Sequence, residues 1–581
     1  MESKISLPKK VEFAASFTES LMPDLVIING KVITVDKDFS IAEAVAVKGE
    51  KIVAVGSSKD IMALTGKNTK ILDLNDNAML PGINDTHLHL ALFGVERPPL
   101  TLDLGYPTVK SIRDIAVMVG KRAKEFKPGE WVQGLRWDPA FMDEVKDDPE
   151  RRPKRQDLDP VSPDNPVALI DQSHHTFWVN SKALELAGIT KDTPDPEGGV
   201  IVKDPDTGEP TGILKEEAKN PVAALIPPFS EEQQKEGILA AMDELVAQGI
   251  TSVTDPFVNA SLASQYNDLY NEGKFKLRMN LLLTWVEQSA PISVDLLEEA
   301  FKFCGTKTGF GNEWLRIAGY KLLADGVEPS LTAWMYEEYP GHHGVYGSLV
   351  TPGKTDEEKV KNLTDVICYI HKAGYQIGIH SCGDRSNATV IDALIKAKQE
   401  YPTKDLHHYI IHADVTRPED IDRMAQWNIG VTQNTGIKYD VSDFMDHVIG
   451  EERSNRMWAV KPFLDKGVRL TLSSDAPVVY PSWKQIVETA ILRESKASGK
   501  VSGQENCISV QEAIKAMTIT PAYQDNMENI KGSIEVGKLA DLCILDEDIL
   551  TAEPHSISDI KTLMTIVGGK IVYDSGALSI K

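Results

Sequence analysis

The middle of this chain alternates short apolar runs with amphipathic stretches, and that alternation constrains the fold more than any other feature. The apolar runs lie at residues 167–170, 250–254, 315–323, 375–379, 409–411 and 468–472. Amphipathic stretches such as 357–373 and 418–427 separate them. Strands that read as unbroken apolar runs are buried on both faces, as in a parallel sheet covered by helices. Repeated βα units over this length predict an α/β fold, a (β/α)8 TIM barrel.

The two ends read differently. Residues 24–36 predict a hairpin with Asn29-Gly30 at its turn, and 42–56 a second one turning at Gly49. Residues 540–545 predict a strand, and 562–573 a hairpin around Gly568-Gly569. Short strands with frequent turns suggest a small β-sandwich. Chain ends often lie close together. The expectation is therefore one sandwich built from 1–80 and 526–581, and a barrel over 81–525 with an insertion at about 97–166.

In such barrels the chemistry sits at the C-terminal ends of the strands. His87 and His89 follow the apolar run 78–83, and Lys321 lies within 315–323. His380 and His412 end two further runs, and Asp475 follows another. In a strand, residues i and i+2 point the same way, so His87 and His89 are expected to offer two imidazoles to one ion. Imidazole suits zinc, iron or manganese-type ions, and a catalytic site keeps a position open for water. Asp475 is expected to bind metal and to take the water's proton. Lys321 is the odd member, because an ammonium inside an apolar run is costly unless paired. As a neutral amine it can react with carbon dioxide to give a carbamate able to bridge two metals. Singly, each residue has an ordinary structural reading: a hydrogen-bonded core histidine, a snorkelling lysine or an aspartate in a turn. Their joint position after successive strands is what points to a divalent-metal hydrolase.

Charge and composition remove other classes. The chain has 581 residues and a net charge of −24, which argues against a nucleic-acid surface. No two of its five cysteines form a CxxC pair, so a reducing cytoplasm is the expected compartment. The stretch 11–22 is broken by Glu12, Ser16, Thr18, Glu19 and Ser20, a poor signal-peptide core. No run of 18 apolar residues exists, so no membrane partner is expected.

Seven segments together resemble the amidohydrolase superfamily, most closely its YtcJ-like branch (amidohydrolase family 3). They begin at Leu80, Ser173, Pro210, Lys321, His380, Ser474 and Gly532, and the resemblance runs from about Asp24 to Tyr573. It implies a distorted barrel plus a sandwich from both termini. It also implies metal ligands at His87, His89, His380, His412 and Asp475, with Lys321 bridging and carboxylated. His175 is implied to polarise the substrate carbonyl. Substrate contacts are implied at Trp137, Asp138, Glu216, Asp384 and Gln433, and Arg456 and Arg493 are further candidates for holding a substrate anion. The sequence departs from the family at Ile83-Asn84-Asp85, where Phe-Ile-Asp is usual, and at Gln433-Asn434, where Gln-Pro is usual.

The functional expectation is a metal-dependent hydrolase that opens an amide-type, non-peptide C–N bond of a small molecule. One or two divalent ions are expected, zinc first, with manganese or iron as alternatives. An ester, a lactone or a C–C bond of a cyclic diketone is the alternative substrate class. A catalytically silent binding protein is the alternative of another kind. By analogy, a homodimer is an expectation for assembly.

Overall fold

The computed structural model describes residues 21–581 apart from 107, 149, 173–174 and 285–291. Most of the segment weighed as a signal peptide, and Ser173 and His174 of the resemblance, lie outside the described residues. Eight parallel strands follow one another: β1 (Ile83–Asp85), β2 (Ile250–Val258), β3 (Arg278–Leu283), β4 (Leu315–Leu323), β5 (Gln376–Ser381), β6 (Tyr409–His412), β7 (Gly430–Gln433) and β8 (Leu470–Leu472). Each pairs with the next in sequence. β6, β7 and β8 are buried at every residue, as a sheet covered on both faces requires. At Gly319 a Cβ would meet the Gln376 carbonyl oxygen at 2.0 Å, so β4 and β5 approach there as only glycine allows.

β1 and β8 share no ladder among the described residues. Closure comes just beyond their ends. Asp475 N donates to the His87 carbonyl at 2.8 Å, and His89 N to the Ala476 carbonyl at 2.8 Å. The buried Asp85 carboxylate accepts from Ser474 N at 3.3 Å and from His87 N at 3.2 Å. The loops that carry the candidate ligands therefore close the barrel, which is the sense in which it is distorted.

Strands from both ends of the chain share one sheet. Its order is Lys570–Asp574, Thr562–Val567, Leu542–Leu545, Ala78–Pro81, Lys31–Ile33 and Ile41–Ala42. A second sheet runs Lys51–Gly56, Ala44–Lys48, Leu25–Ile28 and Lys70–Asp73. Ile27, Val45 and Leu72 of one sheet and Met79, Ile544 and Met564 of the other share a buried core. The hairpins at Gly49 and Gly568-Gly569 are present. The one expected at Asn29-Gly30 is not. Leu25–Ile28 and Lys31–Ile33 pair with different partners, and the turn carries the chain from one sheet to the other. All four residues of Leu25–Ile28 are buried, so that strand lacks the polar face of an edge hairpin.

The chain forms two compact units, one of residues up to His89 together with Met242–Lys581, the other Leu90–Ala241. The second interrupts the barrel between β1 and β2 and is longer than the insertion expected at 97–166. The difference lies in residues 167–170, expected as a barrel strand. Val167–Asp171 instead pairs with Val132–Trp137 and Thr176–Val179 in this unit's own six-stranded sheet. Among the described residues no helix is long and apolar enough to cross a membrane. All five cysteines are free.

Candidate metal centre

Six side chains meet inside the C-terminal end of the barrel. His87 and His89 lie past β1, in the loop before the helix Leu90–Val95, rather than within a strand. They still converge: His87 Nε2 lies 3.2 Å and His89 Nε2 3.4 Å from Asp475 Oδ1. His412 closes β6 and places Nε2 3.9 Å from Asp475 Oδ2. His380, the penultimate residue of β5, packs its ring edge-on to His412 with centroids 4.5 Å apart. Lys321 in β4 brings Nζ to 3.3 Å from His87 Nε2. His412 at φ 74° and Asp475 at φ 60° adopt left-handed backbone, a conformation that non-glycine residues keep where surrounding structure enforces it.

Burial sets the protonation states. It pulls His87 down to about 3 and His380 to about 4, with the Lys321 charge acting in the same sense. Burial likewise holds His412 well below its ordinary value. It lowers the Lys321 amine from 10.5 to about 7. For Asp475 burial works upward, and the surrounding imidazoles outweigh it, holding the carboxyl well below the usual range. His87, His380 and His412 are thus neutral imidazoles beside an ionised carboxylate, the donor chemistry a divalent ion takes. Ligand atoms of His87, His412 and Asp475 all lie within 4.8 Å of one another, so the residues fit an ion.

His412 also has an orienting partner that the sequence reading passed over. Its Nδ1 lies 2.8 Å from Asn434 Oδ1, and Asn434 Nδ2 donates to Ser473 Oγ at 2.9 Å. The departure from Gln-Pro thus touches a candidate ligand histidine directly. Only the unusual Asn after Gln433 could have signalled it.

The other expected site residues are placed as follows. Gln433 ends β7, fully buried, with Nε2 3.4 Å from the Ala413 carbonyl. Asp384 opens the helix Asp384–Glu400 and accepts from Tyr336 N at 2.9 Å, tying the loop after β4 to the helix after β5. Trp137, Asp138, His175 and Glu216 belong to the other unit. Trp137 is in that unit's core, its indole N–H bonded to the Leu169 carbonyl at 3.0 Å, so its side chain is committed to packing. Asp138 caps the turn Pro139–Phe141 through Ala140 N. His175 Nδ1 and Glu216 Oε2 form an exposed pair at 2.8 Å. His175 therefore follows a strand of the second unit and not a barrel strand. Arg493 is spent on the carbonyls of Ser502, Trp458 and Met457. Arg456 is exposed in a cleft after β7.

The amidohydrolase family model matches residues 70–573, most of the chain and every candidate ligand. The chain belongs to the amidohydrolase family. N-substituted formamide deformylase of Arthrobacter pascens is 28% identical over 564 residues, spanning 95% of this chain and 99% of that protein. Protein LONG AFTER FAR-RED 3 of Arabidopsis thaliana is also 28% identical, over 95% of this chain and 92% of its own length. The solved structure of an uncharacterized metal-dependent hydrolase from Pyrococcus furiosus superposes with TM-score 0.69, at 24% identity, over 91% of this chain and 100% of that one, which confirms the fold. This amidohydrolase is accordingly an enzyme, a metal-dependent hydrolase.

Proposed function

We propose that this amidohydrolase opens an amide-type, non-peptide C–N bond of a small molecule. The proposed ligands of one or two divalent ions, zinc first, are His87, His89, His380, His412 and Asp475. The observation that carries the reading is the convergence of His87, His89 and His412 on the single Asp475 carboxylate beside the buried Lys321 amine. The 28% identity to N-substituted formamide deformylase over nearly both full lengths supports the choice of a C–N bond.

Bound there, the ion supplies a Lewis acid for the scissile carbonyl and lowers the pKa of a water to about 7. Asp475 does the proton work. Its Oδ2, 3.9 Å from His412 Nε2, takes the proton of the attacking water. The same carboxyl then hands that proton to the leaving nitrogen. Lys321 has no carboxylate ion pair among the described residues and is 3% exposed. Its free amine adds carbon dioxide and releases a proton, and the carbamate anion gives the buried cluster a further negative charge.

Asp475→Asn is expected to lower kcat/KM by about 10²–10⁴-fold on a formamide substrate while the chain keeps most of its metal. Undiminished turnover in that variant would remove Asp475 from the mechanism. A panel of formamides, lactams, lactones and cyclic diketones tests the bond: turnover confined to the last two sinks the C–N assignment.

A further inference from the structure

A second group of buried ligating side chains lies beside the histidine centre, and none of the steps above uses it. Glu328 stands in the turn Glu328–Ser330 that follows β4. Cys382 comes one residue after β5, and Asp414 two residues after β6. Three successive strands thus present one group each at their C-terminal ends. Their carboxylate oxygens and the Cys382 sulfur lie within 4.8 Å of one another. Glu328 is 2% exposed, Cys382 1% and Asp414 6%.

Two carboxyl groups buried this deeply need protons, donors or a cation. Neighbouring Asp325 shows what donors do. It accepts from the backbone of Trp334 at 2.8 Å and of Cys382 and Gly383 at 3.0 Å each. In place of such a set, Glu328 has its own backbone amide and Asp414 the Cys382 thiol. Among the described residues Glu328 Oε1 and Asp414 Oδ1 have no hydrogen-bond partner, and no lysine or arginine ion-pairs with either side chain. The Cys382 thiol lies against Asp414. A cleft of about 400 Å³, lined by Asp414, Thr416, Arg456 and Asn506, gives a small ion a route to the group.

We propose that Glu328, Cys382 and Asp414 form an accessory divalent-cation site, separate in its ligands from the histidine centre. One sulfur and two carboxylate donors select a borderline ion such as zinc over magnesium or calcium, which take oxygen ligands. Binding forms the bond from sulfur to the ion and releases the thiol proton to solvent. The dication then offsets two of the three negative charges of the ligand set. Cys382 Sγ also lies 3.5 Å from His380 Nε2, so the accessory ion would hold the strand end that carries His380.

The test uses the full-length protein loaded with cobalt(II), and with zinc for metal counting. No ligand proposed for the histidine centre is sulfur, so a thiolate-to-cobalt charge-transfer band that is lost in Cys382→Ser and in Glu328→Gln but kept in His87→Ala reports this site. The wild type is expected to show that band. Cys382→Ser is expected to abolish it, and Cys382→Ser and Glu328→Gln each to lose one zinc equivalent per chain. In His87→Ala the band is expected to persist, which separates this site from any failure of the histidine-centre assignment. A folded wild type without the band, or a band that survives Cys382→Ser, overturns the proposal. So does an unchanged zinc count in both variants with native circular dichroism.

Discussion

His412 can offer Nε2 to an ion only if Nδ1 carries the proton, and Asn434 is the group that enforces this. Asn434 Nδ2 donates to Ser473 Oγ at 2.9 Å, which turns the amide oxygen toward His412 Nδ1 at 2.8 Å. Such outer partners of ligand histidines are worth about 10–100-fold in metal affinity or activity. Asn434→Leu is expected to weaken metal binding or kcat/KM by that amount, and Asn434→Asp to restore most of it because a carboxylate also accepts. Metal titration and kinetics that match wild type for Asn434→Leu would show that the ring is oriented by packing alone. At this scale the sequence exposed the candidate ligands, because His, Asp and Lys after apolar runs are chemically conspicuous. It hid their supports: Asn434 shows only as a departure from the family pattern, and Asp85 and Ser474 are ordinary residues until the fold brings β1, β7 and β8 together. It also misplaced the cause at His87 and His89. Alternation in a strand was the expected reason for their convergence, yet β1 stops at Asp85 and the loop performs it, held by backbone bonds to Asp475 and Ala476.

Among the elements, the helix Thr435–Ile449 after β7 carries an unusual charge. Lys438 is fully buried, and its Nζ donates to the Arg493 carbonyl at 2.9 Å and to Ser502 Oγ at 2.8 Å. Burial, with the Arg493 charge adding to it, lowers the amine from 10.5 to about 7. Between those two values the unfolded chain holds a proton that the folded chain has lost, so this group makes stability rise with pH across that window. Lys438→Met keeps the length of the stem and removes the titration. The stability difference, wild type minus variant, is expected to rise by on the order of 2–4 kcal/mol from pH 7 toward 10. Chemical denaturation at several pH values measures it, and a difference that stays flat refutes the assignment. The elements themselves were legible where burial is two-sided, as in β4 to β6, because an apolar run bounded by polar residues reads directly as a strand. Leu25–Ile28 and Val167–Asp171 were also found as strands but given wrong neighbours. Local pattern fixes that a segment is extended and buried; it carries no signal for which sheet receives it.

On the scale of the larger unit, the question is what fastens the terminal sheet to the barrel, since their pairing spans hundreds of residues and no local pattern records it. Arg278 at the start of β3 answers it. Its Nε lies 2.7 Å from Asp541 Oδ2 and its Nη2 2.9 Å from Asp541 Oδ1, with side chains only 2% and 5% exposed. Asp541 Oδ1 also accepts from Gly568 N at 2.8 Å, at the turn of the C-terminal hairpin. One carboxylate therefore joins the start of β3 to the sheet that both chain ends build. Such a pair is weak evidence of net stability, because desolvating both ions offsets much of their attraction. Breaking it is another matter. Asp541→Ala leaves a guanidinium buried, with the Glu313 carbonyl at 3.1 Å, Glu50 at 3.8 Å and the Trp314 ring at 4.4 Å still beside it. The cost is expected near the low end of about 3–5 kcal/mol, read from denaturant unfolding. Replacing both partners, Arg278→Met with Asp541→Leu, is expected to cost less than Asp541→Ala alone, the residual loss coming from the orphaned Gly568 amide. If the single variant falls within about 0.5 kcal/mol of wild type, the pair does not fasten the two sheets. If the double variant is the worse of the two, the ion pair contributes net stability and the desolvation argument fails here.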